Sequence, residues 1–592
     1  LAIELAAARL RQLSPAQIAQ RLDDRFALLT GGSRTALPRQ RTLRALVDWS
    51  HDLLAPDEQV LLRRIAVFVG GCTLETAEAV CGDLAPLTRE DVLPLVSSLV
   101  DKSLVVVARG AHGGPRYQML ETIRHYALQK LEAAGEPATM RTRHMHAMVA
   151  LAERCEPGVC GHEQQRWLEC LDAETGDLQA AIAWGEVHDP EASLRLASAL
   201  WRYSDLRGQR VIGLDTLLRA LKAGRGDTTH ALGLARAAYM ARNLADFALA
   251  DRLAGEALAV AGAEPAPEVQ AMALFIRGAA ALERMRGEDG LRDLARALEL
   301  ARDRGDDGLA GTALVFMGFE AEMRNDLDAA RRLMTEGLQA AQRGGDRRRI
   351  GHALVRLAFV AIAADDGAQA LRHCEEVLAL ACAIGDRSFR ANGLYLLGRA
   401  AAFTGDFPRA RQLLNEVVAP CDGAAASEIA WAQLELAKIA WAEGELDSFE
   451  AALEHALSLA RQAGIDEVCA TALVFLGHVA RERGDAPLAW RRAADALAIF
   501  RRTRPEGLCL CAELWARLAA DAGEDARAVS WLAARASLRE RRFALDHYPF
   551  LRVRRAALEA SLRTRLGDAA FEAAWAAGRG MSEAELADSV LP

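Results

Sequence analysis

The feature that most constrains this sequence is a period of about 40 residues between Gly278 and Gly484. One set of turn residues recurs at Gly305-Asp306, Gly345-Asp346 and Gly385-Asp386. A second set lies midway, at Asn325-Asp326, Asp365-Asp366, Gly405-Asp406, Gly444-Glu445 and Gly484-Asp485. A third set is small, at Gly278, Gly318, Ala358, Gly398, Ala437 and Gly477. Three sets that share one period predict a solenoid of stacked structural repeats.

The pattern inside one repeat unit is helical. Apolar residues recur at helical spacing over 307–324, and Asn325-Asp326 then interrupts them. The next segment places Ala330, Leu333, Met334, Leu338 and Ala341 on one face and charged residues opposite. Because Gly ends helices and Asp begins them, the turn pairs predict two helices per unit.

Small residues predict where the two helices of a unit cross. Glycine inside a helix costs roughly 1 kcal/mol relative to alanine, so its recurrence at Gly318 and equivalent positions predicts close approach of the partner helix. On the second helix the same role falls to Ala330, Ala370, Ala410 and Ala489, while Phe449 breaks the pattern. A continuous apolar seam is predicted at Leu338, Leu378, Val418, Leu457 and Leu497.

Paired helices with small residues at their crossing resemble the tetratricopeptide family over about 250–500. The usual unit of that family has about 34 residues, so these units are long variants. The resemblance implies a mainly α protein with a right-handed α-solenoid. It also implies that the concave groove binds a peptide or a partner protein.

Composition limits the remaining possibilities. The 592 residues carry a net charge of −9, with acidic and basic side chains interspersed. No overall field therefore recruits nucleic acid or an anionic membrane. An uninterrupted apolar run of about 20 residues is missing from the sequence, which predicts no membrane span.

Eleven cysteines, an odd number scattered along the chain, predict a protein of the reducing cytoplasm. One cluster, at Cys155, Cys160, His162 and Cys170, has the residue types of a zinc site. The paired short spacings of a structural zinc site are missing, so the pattern favours ordinary thiols and no metal.

The first part of the chain predicts a winged helix. Two helices flank a break at Ala55-Pro56, and two more follow over 73–82 and 88–103. Strands are predicted at Leu104–Ala108 and Arg116–Leu120 around a Gly-rich turn, and a helix from Glu121 closes the unit.

Three stretches make the resemblance more specific: LAIELAAARLRQLS at the start, LRRIAVFVGG at 62–71 and RYQMLETIRHYALQKL at 116–131. They resemble bacterial STAND regulatory ATPases, signal-transducing proteins with numerous domains, and the tail after 537 fits the same family. The resemblance implies the end of a helical domain at 1–40 and a winged helix at 41–135. It further implies a helical connector at 136–235, a repeat solenoid at 236–503 and a helical capping region at 504–592.

The same resemblance places the ATP- or ADP-binding core upstream of Leu1, which makes this chain the C-terminal portion of a longer protein. The phosphate-binding string G-x-x-x-x-G-K-[ST] does not occur here. Family members often carry a nucleotide-sensing Met-His-Asp element, and the matching residues are Met119, Leu120 and Glu121. Leu120 has no side-chain donor, which puts this kind of sensing in doubt.

No catalytic constellation stands out. The sequence lacks HExxH and G-x-S-x-G, and adjacent carboxylates such as Asp23-Asp24 and Asp365-Asp366 suit caps and turns. We therefore predict no catalytic, cofactor-binding or metal-ligating residue, and no enzyme, within this chain.

DNA binding through the winged helix is not favoured. The candidate recognition helix, Thr88–Lys102, is nearly neutral and mostly apolar, which predicts internal packing. Arg109 and Arg116 of the wing are the basic residues that could contact phosphate. Two arginine groups, Arg347–Arg349 and Arg552, Arg554 and Arg555, are predicted to be solvated, with an acidic partner in the groove as the alternative.

The sequence thus predicts a regulatory protein whose solenoid senses a protein or peptide effector. The winged helix would relay this to its own upstream ATPase domain. A transcriptional regulator that binds DNA and a non-switching interaction scaffold are the alternatives. No membrane partner is expected, and homo-oligomerisation stays open.

Overall fold

The computed structural model describes residues 43–110, 114–161, 163–222, 227–263, 266–284, 286–384, 387–419, 426–503, 507–541 and 548–589. Over these ranges the chain is mainly α, as predicted, with one two-stranded sheet. None of the helices described is long and apolar enough to cross a bilayer. The helices predicted for 1–30 lie outside the described residues. The chain divides into two compact units, Leu1–Val269 and Gln270–Pro592.

The first unit begins with the predicted helices and hairpin. Their bounds are α1 (Leu43–Asp52), α2 (Pro56–Ile65), α3 (Leu74–Cys81), α4 (Val92–Asp101), β1 (Val106–Arg109), β2 (Pro115–Gln118) and α5 (Glu121–Ala133). The strands are antiparallel, with Val106 opposite Gln118 and Arg109 opposite Pro115. Strand β1 starts two residues later than predicted, because the Leu104 and Val105 N–H groups both donate to the Leu99 carbonyl and close α4.

Local sequence explains where these helices begin. Pro56 occupies the first turn of α2, and the Glu58 carboxylate accepts the Ala55 N–H at 2.7 Å. Thr73 caps α3 by accepting the Thr76 N–H. The apolar sides of α2, α3 and α4 then bury one core, which includes Leu61, Val80, Val96 and Leu99.

The rest of the first unit is helical. Its bounds are α6 (Pro137–Val159), α7 (Gln164–Ala173), α8 (Thr175–His188), α9 (Pro190–Ala199), α10 (Trp201–Leu206), α11 (Arg210–Leu221), α12 (Thr228–Asn243) and α13 (Phe247–Ala263). The long helix α6 carries Met145, Met148 and Ala152 into a separate buried core with Leu171 and Leu196.

The second unit consists of helix pairs followed by a C-terminal group. The pairs are α14 (Pro267–Glu283) with α15 (Gly287–Asp303), α16 (Asp307–Met323) with α17 (Leu327–Gly344), α18 (Arg347–Ala363) with α19 (Gly367–Ile384), α20 (Arg387–Phe403) with α21 (Phe407–Val418), α22 (Ala426–Glu443) with α23 (Leu446–Ala463), α24 (Asp466–Glu482) with α25 (Ala486–Phe500), and α26 (Leu508–Asp521) with α27 (Asp525–Arg541). The C-terminal group is α28 (Pro549–Leu566), α29 (Asp568–Arg579) and α30 (Glu583–Asp588).

Within the described residues, the periodic turn residues are helix caps, as the sequence predicts; Gly385-Asp386 lies outside those residues. The residue after a helix takes a positive φ, 60° at Asn325, 63° at Asp365 and 85° at Gly405, and this left-handed conformation suits Gly and Asn. The aspartate that follows caps the next helix: Asp326 accepts the Ala329 N–H at 3.0 Å.

The small residues mark helix crossings. A Cβ on Gly318 would lie 2.7 Å from Met334 Cγ and 3.2 Å from the Ala330 carbonyl oxygen. The predicted alanines of the second helices are fully buried. Phe449, which breaks the alanine pattern, is also buried and stacks on Trp441 with ring centroids 5.1 Å apart.

The predicted seam is confirmed in part, because Leu457 and Leu497 are buried. Leu338, Leu378 and Val418 are only half-buried, and the buried line runs through the preceding positions, Gly337, Val377, Val417, Ala456 and Ala496. A residue seven places after the crossing alanine points within about 20° of it, whereas one eight places after points about 80° away. The face that contacts the partner helix therefore contains the residue seven places after the alanine.

Candidate functional site

The first helices of the repeat pairs form one face of the second unit, which we call the inner face. Residues of α16, α18, α20, α22 and α24 line a cavity of about 350 Å³ in it. Its lining is Phe319, Glu322, Met323, Val355, Arg356, Phe359, Asn392, Tyr395, Leu396, Arg399, Ser427, Glu428, Trp431 and Glu467. The residues on each helix are spaced by three or four, so they project from one side of it.

The walls of this cavity combine aromatic rings with arginines. The Arg356 guanidinium lies 4.2 Å from the Phe319 ring centroid and forms an ion pair with the buried Glu322 carboxylate. Arg399 lies 4.9 Å from the Phe359 centroid. Guanidinium groups above aromatic faces are attracted to the ring electrons, so these contacts hold the walls in place.

Burial and neighbouring charge act on the titratable groups of the cavity. Burial lowers the pKa of the Arg399 guanidinium, but Tyr395 and Glu435 outweigh it and the pKa is raised overall. Burial also raises the pKa of the Tyr395 hydroxyl. The cavity thus keeps a fixed positive charge beside a neutral phenol.

Several polar groups remain available to a ligand. Within the described residues, the Asn392 amide and the Trp431 indole N–H form no hydrogen bond, and the buried Arg356 Nε has no acceptor. The Glu428 carboxylate accepts only from its neighbour Ser427, at 2.8 Å. Sequence reasoning missed these residues, although Phe319, Phe359 and Arg399 follow one another at 40-residue steps.

The C-terminal residues lie against the same inner face. Tyr548 donates its hydroxyl hydrogen to the Glu435 carboxylate of α22, and both residues are buried. Arg552 of α28 forms two hydrogen bonds with Asp365, at 2.8 and 3.0 Å, and Arg554 lies 4.6 Å from the Trp441 ring.

The predicted solvation of the C-terminal arginines is wrong for Arg555, whereas Arg552 and Arg554 are half-buried. Arg555 is only 7% exposed and donates twice to Glu513 of α26, at 2.8 and 3.0 Å. Burial opposes ionisation of Glu513, but Arg555, Arg535 and Arg517 outweigh it and lower the pKa of that carboxyl to about 2. The acids that pair with these arginines, Asp365, Glu482 and Glu513, belong to this chain, so the arginines have acidic partners without another protein. Arg347–Arg349 begin α18, as predicted.

In the first unit the wing is anchored to the connector. Arg116 of β2 is 6% exposed and donates to both Glu174 oxygens, at 2.5 and 2.8 Å, and to the carbonyls of Gly70, Gly71 and Ala173. The prediction that Arg116 could contact phosphate is therefore wrong. Arg109 is exposed at the end of β1.

A second buried contact completes this junction. The Asp177 carboxylate of α8 accepts the Val69 and Gly70 N–H groups at 2.7 and 2.9 Å, and lies 2.9 Å from His144 Nε2. Asp177 is 0% exposed. Because buried charge is costly unless it is paired, these contacts tie the loop after α2 firmly to α6 and α8.

The candidate recognition helix presents little basic surface. Val92, Val96 and Leu99 of α4 are buried, as the apolar pattern predicts, whereas Leu93 is exposed. Lys102 is held by the Glu58 carboxylate at 2.5 and 2.6 Å.

The residues that match the nucleotide-sensing element lie at the start of α5. Met119 lines a cavity of about 200 Å³ with Tyr117 and Arg124. Leu120 is 60% exposed, and Glu121 forms an ion pair with Arg124.

Two cysteines of the candidate zinc cluster are in contact. The Cys155 thiol donates to the Cys170 sulfur at 4.0 Å, and this contact raises the pKa of Cys155 and lowers that of Cys170 to about 7. His162 lies outside the described residues. In the part of the chain that the structure describes, no group of His, Cys, Asp and Glu could hold a metal ion.

Comparison with known families matches both halves of this description. A model for the winged helix-turn-helix domain matches residues 54–132, and a model for the tetratricopeptide repeat matches 349–419. The chain combines a winged helix with tetratricopeptide repeats. Both predictions are confirmed.

Curated relatives come from mycobacteria. Proteins named "Putative HTH-type transcriptional regulator" from Mycobacterium tuberculosis and Mycobacterium bovis are 48% identical over 204 residues, which is 34% of this chain and 22% of theirs. An uncharacterised Mycobacterium tuberculosis protein is 43% identical over 144 residues, 24% of this chain and 36% of that protein. The chain thus spans about a fifth of the length of the regulators it matches.

Among solved structures, a STAND protein with a tetratricopeptide repeat sensor from Pyrococcus horikoshii aligns with a TM-score of 0.45 and 14% identity, covering 80% of this chain and 74% of that one. The quorum sensor NprR from B. thuringiensis aligns with a TM-score of 0.42 and 12% identity, covering 63% and 99%.

Proposed function

We propose that this chain is the sensor part of a regulatory protein, and that the cavity of the inner face binds a peptide effector. The observation that carries the proposal is the set of polar groups left unengaged among aromatic walls. The cavity volume of about 350 Å³ lies within the range of sites that hold small ligands or a few side chains.

The chemistry of the cavity suits a peptide. The Asn392 amide offers one acceptor and two donors, which matches the acceptor and donor of a peptide group. The rings of Phe319, Phe359 and Trp431 can bury an apolar side chain. Glu428 favours a positively charged group beside it.

Signalling would follow from differential affinity. An effector that binds one arrangement of the regulator better than another shifts the population toward it. The winged helix and connector are joined by Arg116 and Asp177, so a displacement of the connector would move the wing with it. As proposals, the receiving ATP- or ADP-binding domain lies outside this chain, and the chain itself is neither an enzyme nor a cofactor carrier.

The output we propose is control of transcription. The names of the mycobacterial relatives and the winged helix favour this over a plain scaffold. The buried Arg116 and the engaged Lys102 favour DNA contact through another domain of the longer protein over contact through this winged helix.

The test is capture of peptides from a random octapeptide library by the immobilised full chain. We expect enriched sequences to lose about tenfold or more in affinity for Asn392→Ala, because one hydrogen bond to a buried peptide group is lost, and at least as much for Trp431→Ala. Asn415→Ala, at an exposed asparagine of α21, is the matched control and should bind as the wild type does. Equal binding by wild type and both cavity variants would refute the proposal.

A further inference from the structure

A second part of the inner face is already occupied by the chain itself. Tyr548 and the first turns of α28 cross the ends of several first helices. Most polar contacts join a base or hydroxyl of the segment to an acid of the face, and Arg554 also donates to the Trp441 carbonyl at 3.3 Å. Arg552 pairs with Asp365 after α18, Arg554 with Glu482 of α24, and Arg555 with Glu513 of α26.

The apolar side chains of this segment have helical spacing. Tyr548, Leu551 and Leu562 are buried in the same core as α22, α24 and α26, and Leu558 packs against it. Val553, on the opposite side of α28, is 70% exposed. The segment is therefore a basic amphipathic helix with one face toward the repeats and an aromatic residue immediately before it.

The seat of Tyr548 is polar and specific. Its hydroxyl group donates to Glu435, which also accepts from Lys438 at 2.9 Å, and the Lys438 ammonium lies 5.2 Å from the Tyr548 ring centroid. Burial opposes the charge on Glu435, but Lys438 and Arg399 outweigh it and keep the pKa of that carboxyl low. A buried carboxylate needs hydrogen-bond donors. A residue without a hydroxyl in place of Tyr548 would leave the Glu435 Oε2 atom without its donor.

We propose that this region, which we call the helix seat, is a docking site for a basic amphipathic helix. An aromatic hydroxyl residue precedes such a helix, and arginines follow it four and seven positions later. The segment 548–566 occupies the helix seat in cis, and a partner protein with a helix of the same chemistry binds by displacing its first turns.

The contacts explain why these turns can be displaced. The Arg552–Asp365 and Arg554–Glu482 pairs are exposed, and such pairs contribute little to stability. The first turns are therefore held mainly by Tyr548, Leu551 and Arg555, together with Phe550, whose ring packs on Trp441. The proposal concerns a surface beside the effector cavity and does not require the effector to be a peptide.

The test uses a fluorescein-labelled synthetic peptide with the sequence of residues 548–562, added to the full chain. A site occupied in cis shows reduced apparent affinity, and loosening the occupant restores it. We expect Tyr548→Ala in the chain to bind the peptide about tenfold or more tightly than the wild type does, and Tyr548→Phe to show a smaller gain, since it loses only the hydroxyl. Arg563→Ala, on the side of α28 that faces Asp568 and Glu572, is the matched control and should show no gain.

A peptide carrying Arg552→Glu and Arg555→Glu should not compete. The proposal is overturned if the wild type, Tyr548→Phe and Arg563→Ala bind the peptide equally, or if the charge-reversed peptide binds as well. Should Tyr548→Ala not fold, the comparison of Tyr548→Phe with Arg563→Ala decides. Asn392→Ala in the chain should leave this binding unchanged, which separates failure of the helix seat from failure of the effector cavity.

Discussion

Single buried residues of the second unit determine how it responds to acid. His478 of α24 is 3% exposed and packs against Trp441, with ring centroids 5.0 Å apart. Burial, together with repulsion from Arg517 and Arg481, lowers the pKa of His478 to about 3. The folded protein therefore keeps this imidazole neutral at pH values where an unfolded chain protonates it.

The sign of the pH effect follows from this difference. The pKa of the folded state lies below the usual value of 6.5, so the stabilisation is complete above pH 6.5 and is lost as the pH falls toward 3. We expect the unfolding free energy to fall by up to about 1.4 kcal/mol per pH unit over this window, and the slope to be smaller by that amount in His478→Leu. Urea midpoints at pH 6.5, 5.5 and 4.5 measure it.

Two comparisons make this prediction specific. His455→Leu, at an exposed position of α23, should keep the slope of the wild type. Glu513 loses its own contribution as the pH falls from the usual 4.5 toward about 2, so the change between pH 6.5 and 5.5 is the one that reports His478. The same slope in His478→Leu and wild type would contradict the assignment.

At the scale of elements, stability depends on how closely paired helices approach. Gly311 of α16 and Gly337 of α17 face each other, and a Cβ on Gly311 would lie 2.7 Å from the Gly337 carbonyl oxygen. Backbone on both sides leaves no flexible side chain to move. Alanine at this position would force the two helices apart.

We expect Gly311→Ala to destabilise the second unit by about 1–3 kcal/mol. The matched control is Gly255→Ala on α13, where an added Cβ meets nothing within 4 Å. That variant should stabilise its helix by about 0.5–1 kcal/mol, because alanine loses less backbone entropy on folding. Thermal melts followed by circular dichroism measure both, and a stabilising Gly311→Ala would show that the crossing tolerates a side chain.

The bounds and crossings of the helices are largely predictable from the sequence, because helix caps and crossings depend on local residues. The left-handed residue Asn325 and the helix cap Asp326 are adjacent, so two neighbouring residues in the sequence suffice to predict the turn. The seam is only partly predictable: Gly337, seven residues after the crossing Ala330, is buried and Leu338 is not, whereas Leu457 is buried at the position equivalent to Leu338. The cavity is not predictable from one repeat, because its lining combines residues of five helices.

At the scale of the whole molecule, distant parts of the chain form the functional surfaces. Arg116 meets Glu174 across 58 residues, and Arg555 meets Glu513 across 42. Nothing in the local sequence of either arginine indicates its partner, so the sequence alone predicts that both side chains are exposed. The winged helix and the repeats themselves were predictable, because each repeats or alternates within a short window.

The junction of wing and connector gives the prediction at this scale. Asp177→Ala removes a buried carboxylate that accepts two backbone N–H groups and pairs with the buried His144. We expect a loss of about 3–5 kcal/mol, because breaking a buried charged contact strands its partners. Amide hydrogen exchange at Val69 and Gly70 should accelerate accordingly.

The control for this variant is Asp215→Ala, at a carboxylate of α11 that is 64% exposed and pairs with Arg219. It should change stability by about 0.5 kcal/mol or less. If Asp177→Ala leaves exchange at Val69 and Gly70 as in the wild type, the junction is not what joins the winged helix to the connector.

The recurring turns have a consequence for how such proteins change length. Asn325 and Asp365 adopt the same backbone conformation, with φ of 60° and 63°, and each precedes an aspartate that caps the next helix. Deleting the residues between the two turns would remove one complete pair of helices. The turn left at the junction would have the same left-handed residue and aspartate cap. Gene duplication or loss can therefore add or remove recognition positions in whole steps, without redesign of the neighbours that remain.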